Sequence, residues 1–247
     1  MNNIVVKLDL KNELRNLINK ENQNTIPIFI PHKGCKNSCV FCNQHKISGA
    51  LKDVTPKEID EIIKEYLGYF EGSSKNIEIA FFGGSFTGLD YTMQKEYLEV
   101  ANKYVKLGKV SGIRLSTRPD YISSKILKLL KINNVKTIEL GVQSLDDEVL
   151  FASKRGHSKL DVIRASRLIQ GYGFNLGHQI MIGLPNSTLE KEITTIEKVI
   201  KINPKELRIY PVYVISPSEL YDMYIENKYE PLSQEDAKRA PDGYSSN

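Results

Sequence analysis

Residues 25–43 read TIPIFIPHKGCKNSCVFCN, an apolar run with strand character that passes directly into a loop with three cysteines. Cys35, Cys39 and Cys42 are the only cysteines of the 247-residue chain, and their spacing is C-x3-C-x2-C. They are too few and too crowded for an ordinary disulfide framework, so they indicate either a metal site or a cluster of reactive thiols. Such sites belong in a reducing compartment, where thiolates survive as ligands.

Further apolar runs alternate with segments of helical period along the rest of the chain. Strands are predicted at residues 25–30, 77–82, 112–117, 136–142, 175–182 and 206–212. Helices are predicted at residues 56–70, 93–105, 123–132, 159–169 and 189–202, the first with a capping box from Thr55 and Glu58. Strand and helix in strict turn predict an α/β fold with a parallel sheet. Six such units form either a doubly wound open sheet or an incomplete β/α barrel, and the pattern alone does not separate them.

The chain is predicted to have one core domain, residues 25–215, because no repeat or low-complexity linker interrupts it. Residues 1–24 and 216–247 are predicted to be appendages. The 34 basic and 30 acidic residues are interleaved, and the net charge of +4 permits a nucleic-acid partner without predicting one. No apolar stretch approaches the roughly 18 residues that span a bilayer, and the N-terminus lacks a signal-peptide core. We therefore expect a cytoplasmic protein with no membrane partner.

The cysteine loop has the chemistry of an iron–sulfur site. Loops that follow the strands of a β/α fold collect at the face where active sites are built. Three thiolates can hold three corners of a cubane cluster, and the fourth iron is then open to a substrate. The alternative is a zinc knot, because His45 completes a C-x3-C-x2-C-x2-H set suited to tetrahedral zinc.

The cysteine spacing, its position after an apolar strand and the aromatic Phe41 resemble the radical S-adenosylmethionine superfamily, whose motif is C-x3-C-x-aromatic-C. The resemblance implies a [4Fe-4S] cluster on Cys35, Cys39 and Cys42, with S-adenosyl-L-methionine chelated to the open iron. It implies that Phe41 and Asn43 lie near the adenine. It also implies a partial (βα)6 TIM-type barrel in place of the open sheet.

Later strands end in further motifs of that superfamily, in the expected order. The residues that the resemblance implies at the cofactor are Gly83, Gly84, Ser85, Ser116, Arg118, Gln143, Arg155, Gln179 and Tyr213. The glycine turn matches the segment whose backbone binds the methionine amino group. Gln143 and Arg155 lie in segments similar to those of the Elongator catalytic subunit and oxygen-independent coproporphyrinogen oxidase. There the glutamine contacts the ribose and the arginine contacts the methionine carboxylate.

For two of these residues, Arg118 and Tyr213, a second interpretation stays open, and for Gln179 a weaker contact is implied. Arg118 either faces a ligand or pairs with Asp120 at the surface. Gln179 is implied to make a polar contact with the cofactor, weaker than that of the acid at its position in the coproporphyrinogen enzyme. Tyr213 either borders the adenine or belongs to the core.

The resemblance implies reductive cleavage of S-adenosylmethionine to a 5′-deoxyadenosyl radical, with a ferredoxin or flavodoxin as electron donor. Similarity to the Elongator catalytic subunit implies tRNA as the partner and modification of its wobble uridine. A further C-terminal domain or a partner chain is then expected to close the open side of the barrel. A small-molecule or tetrapyrrole substrate is the second hypothesis, and a noncatalytic Cys3His zinc module is the third.

Overall fold

The computed structural model describes residues 24–30, 34–35, 38–42, 54–72 and 76–233. The strands are β1 (Asn24–Ile30), β2 (Ile77–Gly83), β3 (Gly112–Thr117), β4 (Val135–Gln143), β5 (Asn175–Ile182) and β6 (Glu206–Pro211). The helices are α1 (Pro56–Tyr69), α2 (Tyr91–Lys106), α3 (Ser124–Ile132), α4 (Asp147–Ala152), α5 (Lys159–Gly171), α6 (Leu189–Ile202) and α7 (Glu219–Ile225). Short 3-10 turns follow β2 at Phe86–Gly88 and β3 at Pro119–Tyr121. The predicted alternation of strand and helix is confirmed.

The helices begin at residues whose side chains cap the first backbone N–H groups. At α1 the Thr55 hydroxyl accepts a hydrogen bond from the Glu58 backbone N–H, and the Glu58 carboxylate accepts one from the Thr55 backbone N–H. The predicted capping box is therefore confirmed. Ser158 and Asp161 form a second capping box at α5. These local signals set where each helix starts, and therefore how long the loop before it is.

The six strands pair in parallel and in sequence order, from β1 to β6. One face of the sheet packs against the helices and forms the main hydrophobic core, in which Ile28, Phe81, Leu115 and Ile138 are fully buried. Each such side chain contributes roughly 1.5–3 kcal/mol relative to an exposed one. Because side chains alternate along a strand, the residues between these point to the opposite face.

The opposite face of the sheet is concave and polar. Arg114 of β3 donates from Nε to Glu78 of β2 at 2.6 Å, from Nη2 to Glu206 of β6 at 2.9 Å, and from Nη1 to Glu139 of β4. Two strands separate β3 from β6, so one side chain joins them only if the sheet curls around it. The fold is therefore the predicted partial (βα)6 TIM-type barrel, and the open-sheet alternative is wrong. We call the concave face that carries these four residues the lumen.

A second, smaller hydrophobic cluster lies beyond the carboxyl ends of the strands. It joins Val40 of the cysteine-bearing loop to Leu184, Val212 and Leu220. Leu220 belongs to α7, and its backbone N–H donates to the Val40 carbonyl oxygen at 2.8 Å. The described chain thus continues past residue 215 into a helix that packs on this loop, and the domain boundaries stay a prediction. Among the described residues, no helix combines the length and apolar composition needed to cross a membrane.

Candidate active site

The cysteine loop, described at residues 34–35 and 38–42, lies against the turn that follows β2. A Cβ atom on Gly34 would lie 1.9 Å from the Ser85 carbonyl oxygen. A Cβ atom on Gly88 would lie 2.0 Å from the Gly34 carbonyl oxygen. Only glycine is accommodated at both positions, because the two backbones touch there. The sequence prediction missed these two glycines; their position inside two motif loops is the signal that marks them.

Gly83 and Gly84 connect β2 to this turn. Gly83 has φ of +99°, which glycine adopts freely, and a Cβ atom there would lie 2.6 Å from the Ile30 carbonyl oxygen. The Gly84 backbone N–H donates to the same oxygen at 2.8 Å. On the other side of the turn, the Cys35 Sγ lies 3.3 Å from the Ser85 Oγ. The cysteine loop and the glycine turn therefore form one unit at the carboxyl ends of β1 and β2.

Arg155 approaches the cysteine loop from the segment between α4 and α5. Its Nη1 donates to the Cys39 Sγ at 3.2 Å, and its Nη2 donates to the Gly141 carbonyl oxygen at 2.7 Å. A Cβ atom on Gly141 would lie 3.2 Å from that Nη2, so the absence of a side chain at this position leaves space for the arginine. At the end of the loop, the Cys42 backbone N–H donates to the Cys39 carbonyl oxygen at 3.0 Å. A buried cation therefore touches the sulfur of the central cysteine.

Arg118 is a second buried arginine, and it contacts the Arg155 backbone. Its Nε and Nη2 form a bidentate pair with the Asp120 carboxylate at 2.9 and 3.1 Å, and Nη2 also donates to the Arg155 carbonyl oxygen. The predicted pairing with Asp120 is confirmed, but its predicted surface position is wrong, because Arg118 is 2% exposed. Burial lowers the pKa of Arg118, and the hydrogen bonds and charge of Asp120 outweigh it, so the pKa is raised and the guanidinium stays charged. Among the described residues, its Nη1 has no hydrogen-bond partner.

β4 ends at Gln143 in a strained backbone conformation. Gln143 has φ of +66°, which costs a non-glycine residue on the order of 1–3 kcal/mol. The sheet register shifts between Gly141 and Gln143. The Oε1 atom of Gln143 is buried and has no hydrogen-bond partner within the described part of the chain. Strain together with an open acceptor is typical of a position that binds a ligand.

Two buried histidines are neutral in the folded protein. Burial, followed by the charges of Arg155 and Arg118, lowers the pKa of His157 to about 3. Its Nε2 lies 3.2 Å from the Val142 carbonyl oxygen, so the proton belongs on Nε2. Burial also lowers the pKa of His178 to about 3.

We expect the free energy of unfolding to fall as the pH is lowered from 7 to 5. The unfolded chain protonates its histidines near pH 6.5, whereas the folded protein keeps His157 and His178 neutral until about pH 3. The unfolded state therefore binds more protons in this range, which corresponds to about 2 kcal/mol for each histidine at pH 5. Urea unfolding at both pH values measures the effect. His178→Gln should show about half of it, and a wild-type stability that is equal at pH 7 and pH 5 would refute the prediction.

Ser116 and Gln179 lie in the lumen. The Gln179 Nε2 donates to Glu139 Oε2 at 2.5 Å and lies 3.4 Å from the Ser116 Oγ. Arg208 pairs with the other Glu139 oxygen, with Nη2 at 3.0 Å from Oε1. The sequence prediction missed Glu139 and Arg208. Charged residues at alternate positions of apolar strands are the signal that marks them.

The predicted site residues not yet described are Phe41, Tyr213 and Asn43. Phe41 packs against the second hydrophobic cluster. Tyr213 is 69% exposed in the segment after β6, so its predicted alternative as a core residue is wrong. Asn43, and with it His45 of the zinc alternative, lies outside the described residues.

The cysteine loop has the donors that a cubane cluster needs. None of the three cysteines forms a disulfide. Within the described ranges, no three His, Cys, Asp or Glu side chains converge closely enough to hold a single metal ion. In a cubane cluster each cysteine binds a different iron, so such convergence is not required. The loop supplies three such cysteines, and the Arg155 guanidinium donates to the sulfur of Cys39, so the loop fits a three-cysteine cluster.

Comparison with known proteins gives a family and a set of relatives. The family model of the radical SAM superfamily matches residues 29–199. The tRNA uridine(34) acetyltransferase of Methanocaldococcus infernus is 33% identical over 182 residues, which are 65% of this chain and 34% of that protein. This chain therefore spans about a third of the length of that relative.

Two solved structures share the fold. The Elp3 of Methanocaldococcus infernus has a TM-score of 0.69 at 24% identity, over 91% of this chain and 54% of that one. The coproporphyrinogen III oxidase of Escherichia coli, described as a radical SAM enzyme, has a TM-score of 0.59 at 18% identity, over 93% of this chain and 52% of that one. At these identities the likeness shows the curled half-barrel alone. This chain spans about half the length of each of them.

Proposed function

Because the chain belongs to the radical S-adenosylmethionine superfamily, we propose that it holds a [4Fe-4S] cluster on Cys35, Cys39 and Cys42 and cleaves S-adenosylmethionine reductively. The observation that carries the proposal is the docking of the cysteine loop on the glycine turn, with the Arg155 guanidinium 3.2 Å from the Cys39 sulfur. When bound, such a cluster supplies one electron to the sulfonium, whose bond to the 5′ carbon breaks to give methionine and a 5′-deoxyadenosyl radical. A ferredoxin or flavodoxin is the proposed electron donor.

The residues around the loop are proposed to bind and orient S-adenosylmethionine. The backbone of the turn at Gly83 and Gly84 is proposed to bind the methionine amino group, as the family resemblance implies. Arg155 has the planar fork that matches the methionine carboxylate, and Gln143 accepts a hydrogen bond from a ribose hydroxyl through its open Oε1. Further contacts from the resemblance are proposed for Phe41, Asn43, Ser85, Ser116, Arg118 and Tyr213.

The proposed substrate is tRNA, at its wobble uridine. The support is the relative named a tRNA uridine(34) acetyltransferase, 33% identical over the aligned residues. Because this chain spans a third of that relative, the proposed share of the reaction is radical formation and hydrogen abstraction. A further C-terminal domain or a partner chain is proposed to supply the rest. The thiolate ligands and the RNA substrate both suit the cytoplasm.

The test is whether tRNA binds to the reconstituted protein and changes its activity. We expect binding whose affinity falls steeply with salt, since the contacts are to phosphates. We also expect tRNA to change the rate at which 5′-deoxyadenosine forms from S-adenosylmethionine. A fully paired RNA duplex of equal length is the control, because it offers the same phosphates without a single-stranded loop. A protein that binds tRNA no better than the duplex, and whose rate is the same with and without tRNA, would rule this substrate out.

A further inference from the structure

Aromatic side chains line the open end of the lumen. Phe29 of β1 is the register partner of Phe82 of β2, and Phe82 shares the lumen face with Glu78, four residues earlier in the strand. Tyr210 of β6 shares that face with Arg208. Phe29 and Tyr210 are 39% and 41% exposed, on the two edge strands of the sheet. Exposed rings on both edges of a hollow offer flat apolar surfaces to a ligand.

Arg208 crosses the hollow close to these rings. Its guanidinium carbon lies 5.7 Å from the centre of the Phe82 ring, and its Nη2 lies 3.0 Å from Glu139 Oε1. Neither β2 nor β4 is a neighbour of β6 in the sheet, so both contacts span the lumen. The ion pair engages one nitrogen of a group with five N–H donors, and the side chain is 36% exposed. The ring and the carboxylate thus hold the guanidinium in place while other donors remain available.

Gln179 is the register partner of Arg208 in the β5–β6 pair. Arg208 carries only hydrogen-bond donors, whereas the Gln179 amide also carries an acceptor. Its Nε2 lies 2.5 Å from a Glu139 carboxylate oxygen and 3.4 Å from the Ser116 hydroxyl. A carboxylate only accepts hydrogen bonds, so the amide nitrogen belongs on that side and the carbonyl oxygen on the other. The lumen therefore carries hydrogen-bond donors, from Arg208, and an acceptor, the Gln179 carbonyl oxygen, on register partners of two paired strands.

We propose that this lumen patch, formed by Arg208, Gln179, Phe29, Phe82 and Tyr210, binds the uracil base of the substrate. Uracil carries a carbonyl acceptor next to an N–H donor, which complements the guanidinium and the Gln179 carbonyl oxygen. Cytosine carries an amino donor next to an acceptor nitrogen, so it sets donor against donor and acceptor against acceptor. The rings provide stacking for a base that has left the stack of an RNA loop.

The inference rests on the proposed action on tRNA and gives that action a specificity site. It assigns Gln179 to the substrate, in place of the cofactor contact that the family resemblance implies. The reason for this assignment is that Gln179 and Arg208 both contact the Glu139 carboxylate, so the two side chains belong to one group in the lumen.

The test is the preference of the reconstituted full chain for uridine over cytidine. Two fluorescent anticodon stem-loop RNAs that differ only in the wobble base are titrated with the protein at one fixed salt concentration. Wild-type protein is expected to bind the uridine RNA about tenfold more tightly, within the range that one well-placed hydrogen-bonded pair provides. Arg208→Met is expected to bind both RNAs equally, while phosphate contacts sustain the overall affinity.

Two further variants make the test specific. Gln179→Met removes the acceptor and is also expected to abolish the preference, so the test stands even if Arg208→Met fails to fold. Arg164→Met is the matched control, because Arg164 is exposed on α5 and its loss removes the same charge away from the lumen. This control is expected to keep the tenfold preference. Circular dichroism checks the fold of each variant.

The possible results separate this inference from the proposed function. Loss of the preference in the two lumen variants, with the preference kept in Arg164→Met, supports the inference. A preference that persists in the lumen variants overturns it and leaves the action on tRNA standing. Wild-type protein that binds both RNAs equally also overturns it. If wild-type protein binds neither stem-loop nor tRNA, the proposed substrate fails first and the inference fails with it.

Discussion

Replacing Cys39 by alanine is expected to abolish iron binding at the cysteine loop and to reduce the release of 5′-deoxyadenosine by more than about a hundredfold. Cys39 is the buried member of the three cysteines, and its sulfur lies 3.2 Å from the Arg155 Nη1. The cluster has only three protein ligands in the wild-type protein, and the two thiolates that remain in the variant are too few to hold it. Iron and sulfide content after anaerobic reconstitution, together with the product assay, measures the effect.

The fold is expected to survive this change, because Cys39 lies outside the main hydrophobic core. Circular dichroism and the urea midpoint should therefore stay close to those of the wild-type protein. Ser38→Ala is the matched control, since Ser38 is the exposed residue before Cys39 in the same loop. Normal iron content in Cys39→Ala, or an equal loss in Ser38→Ala, would show that the ligand assignment is wrong.

Arg114→Met is expected to lower the free energy of unfolding by about 3–5 kcal/mol. Burial lowers the pKa of Arg114, but the hydrogen bond to Glu206 and the charges of Glu78 and Glu139 outweigh it, so the pKa is raised and the side chain stays charged. Its removal leaves three carboxylates facing one another in the lumen without the cation that joins them. Urea unfolding at pH 7 measures the loss.

Two further substitutions serve as comparisons for the destabilisation expected of Arg114→Met. Glu206→Gln is expected to destabilise the protein less, because Arg114 keeps Glu78 and Glu139 as partners, and it remains measurable if Arg114→Met does not fold. Lys103→Met removes an exposed ion pair with Asp60, of 3.1 Å, and should barely change the midpoint. If Arg114→Met costs no more than Lys103→Met, the lumen network does not hold the curl of the sheet.

The sequence predicts the strands closely because their helix-facing residues form apolar runs bounded by polar loops. The predicted ranges 112–117 and 175–182 match β3 and β5 at both ends. The predicted range 136–142 is one residue short at each end of β4. One of the missed residues is Gln143, whose positive φ depends on the local structure and not on an apolar pattern.

The curl of the sheet, and the contacts that depend on it, could not be predicted from the periodic spacing of apolar residues alone. Alternation shows which residues share a face, but not which face is concave. The barrel was predicted from the family resemblance, and the bridge from Arg114 to Glu206, 92 positions apart, requires that curl. The contact between Arg155 and Cys39 joins residues 116 positions apart, and only the resemblance predicted that both serve one site.

α7 shows a second limit of the sequence prediction. This helix lies within residues 216–247, the predicted C-terminal appendage, and no helix is predicted there from the sequence. Within them, Leu220 is fully buried and its backbone N–H donates to Val40 of the cysteine loop. A helix of seven residues carries too little periodicity to be recognised, since its burial depends on a distant loop.

The most direct test of the central claim is the formation of 5′-deoxyadenosine by the purified chain. The protein is reconstituted anaerobically with iron and sulfide, reduced, and mixed with S-adenosylmethionine, and the products are identified by mass spectrometry. We predict about four irons per chain and 5′-deoxyadenosine together with methionine. A colourless protein that retains zinc and releases no 5′-deoxyadenosine would contradict the assignment of the cysteine loop.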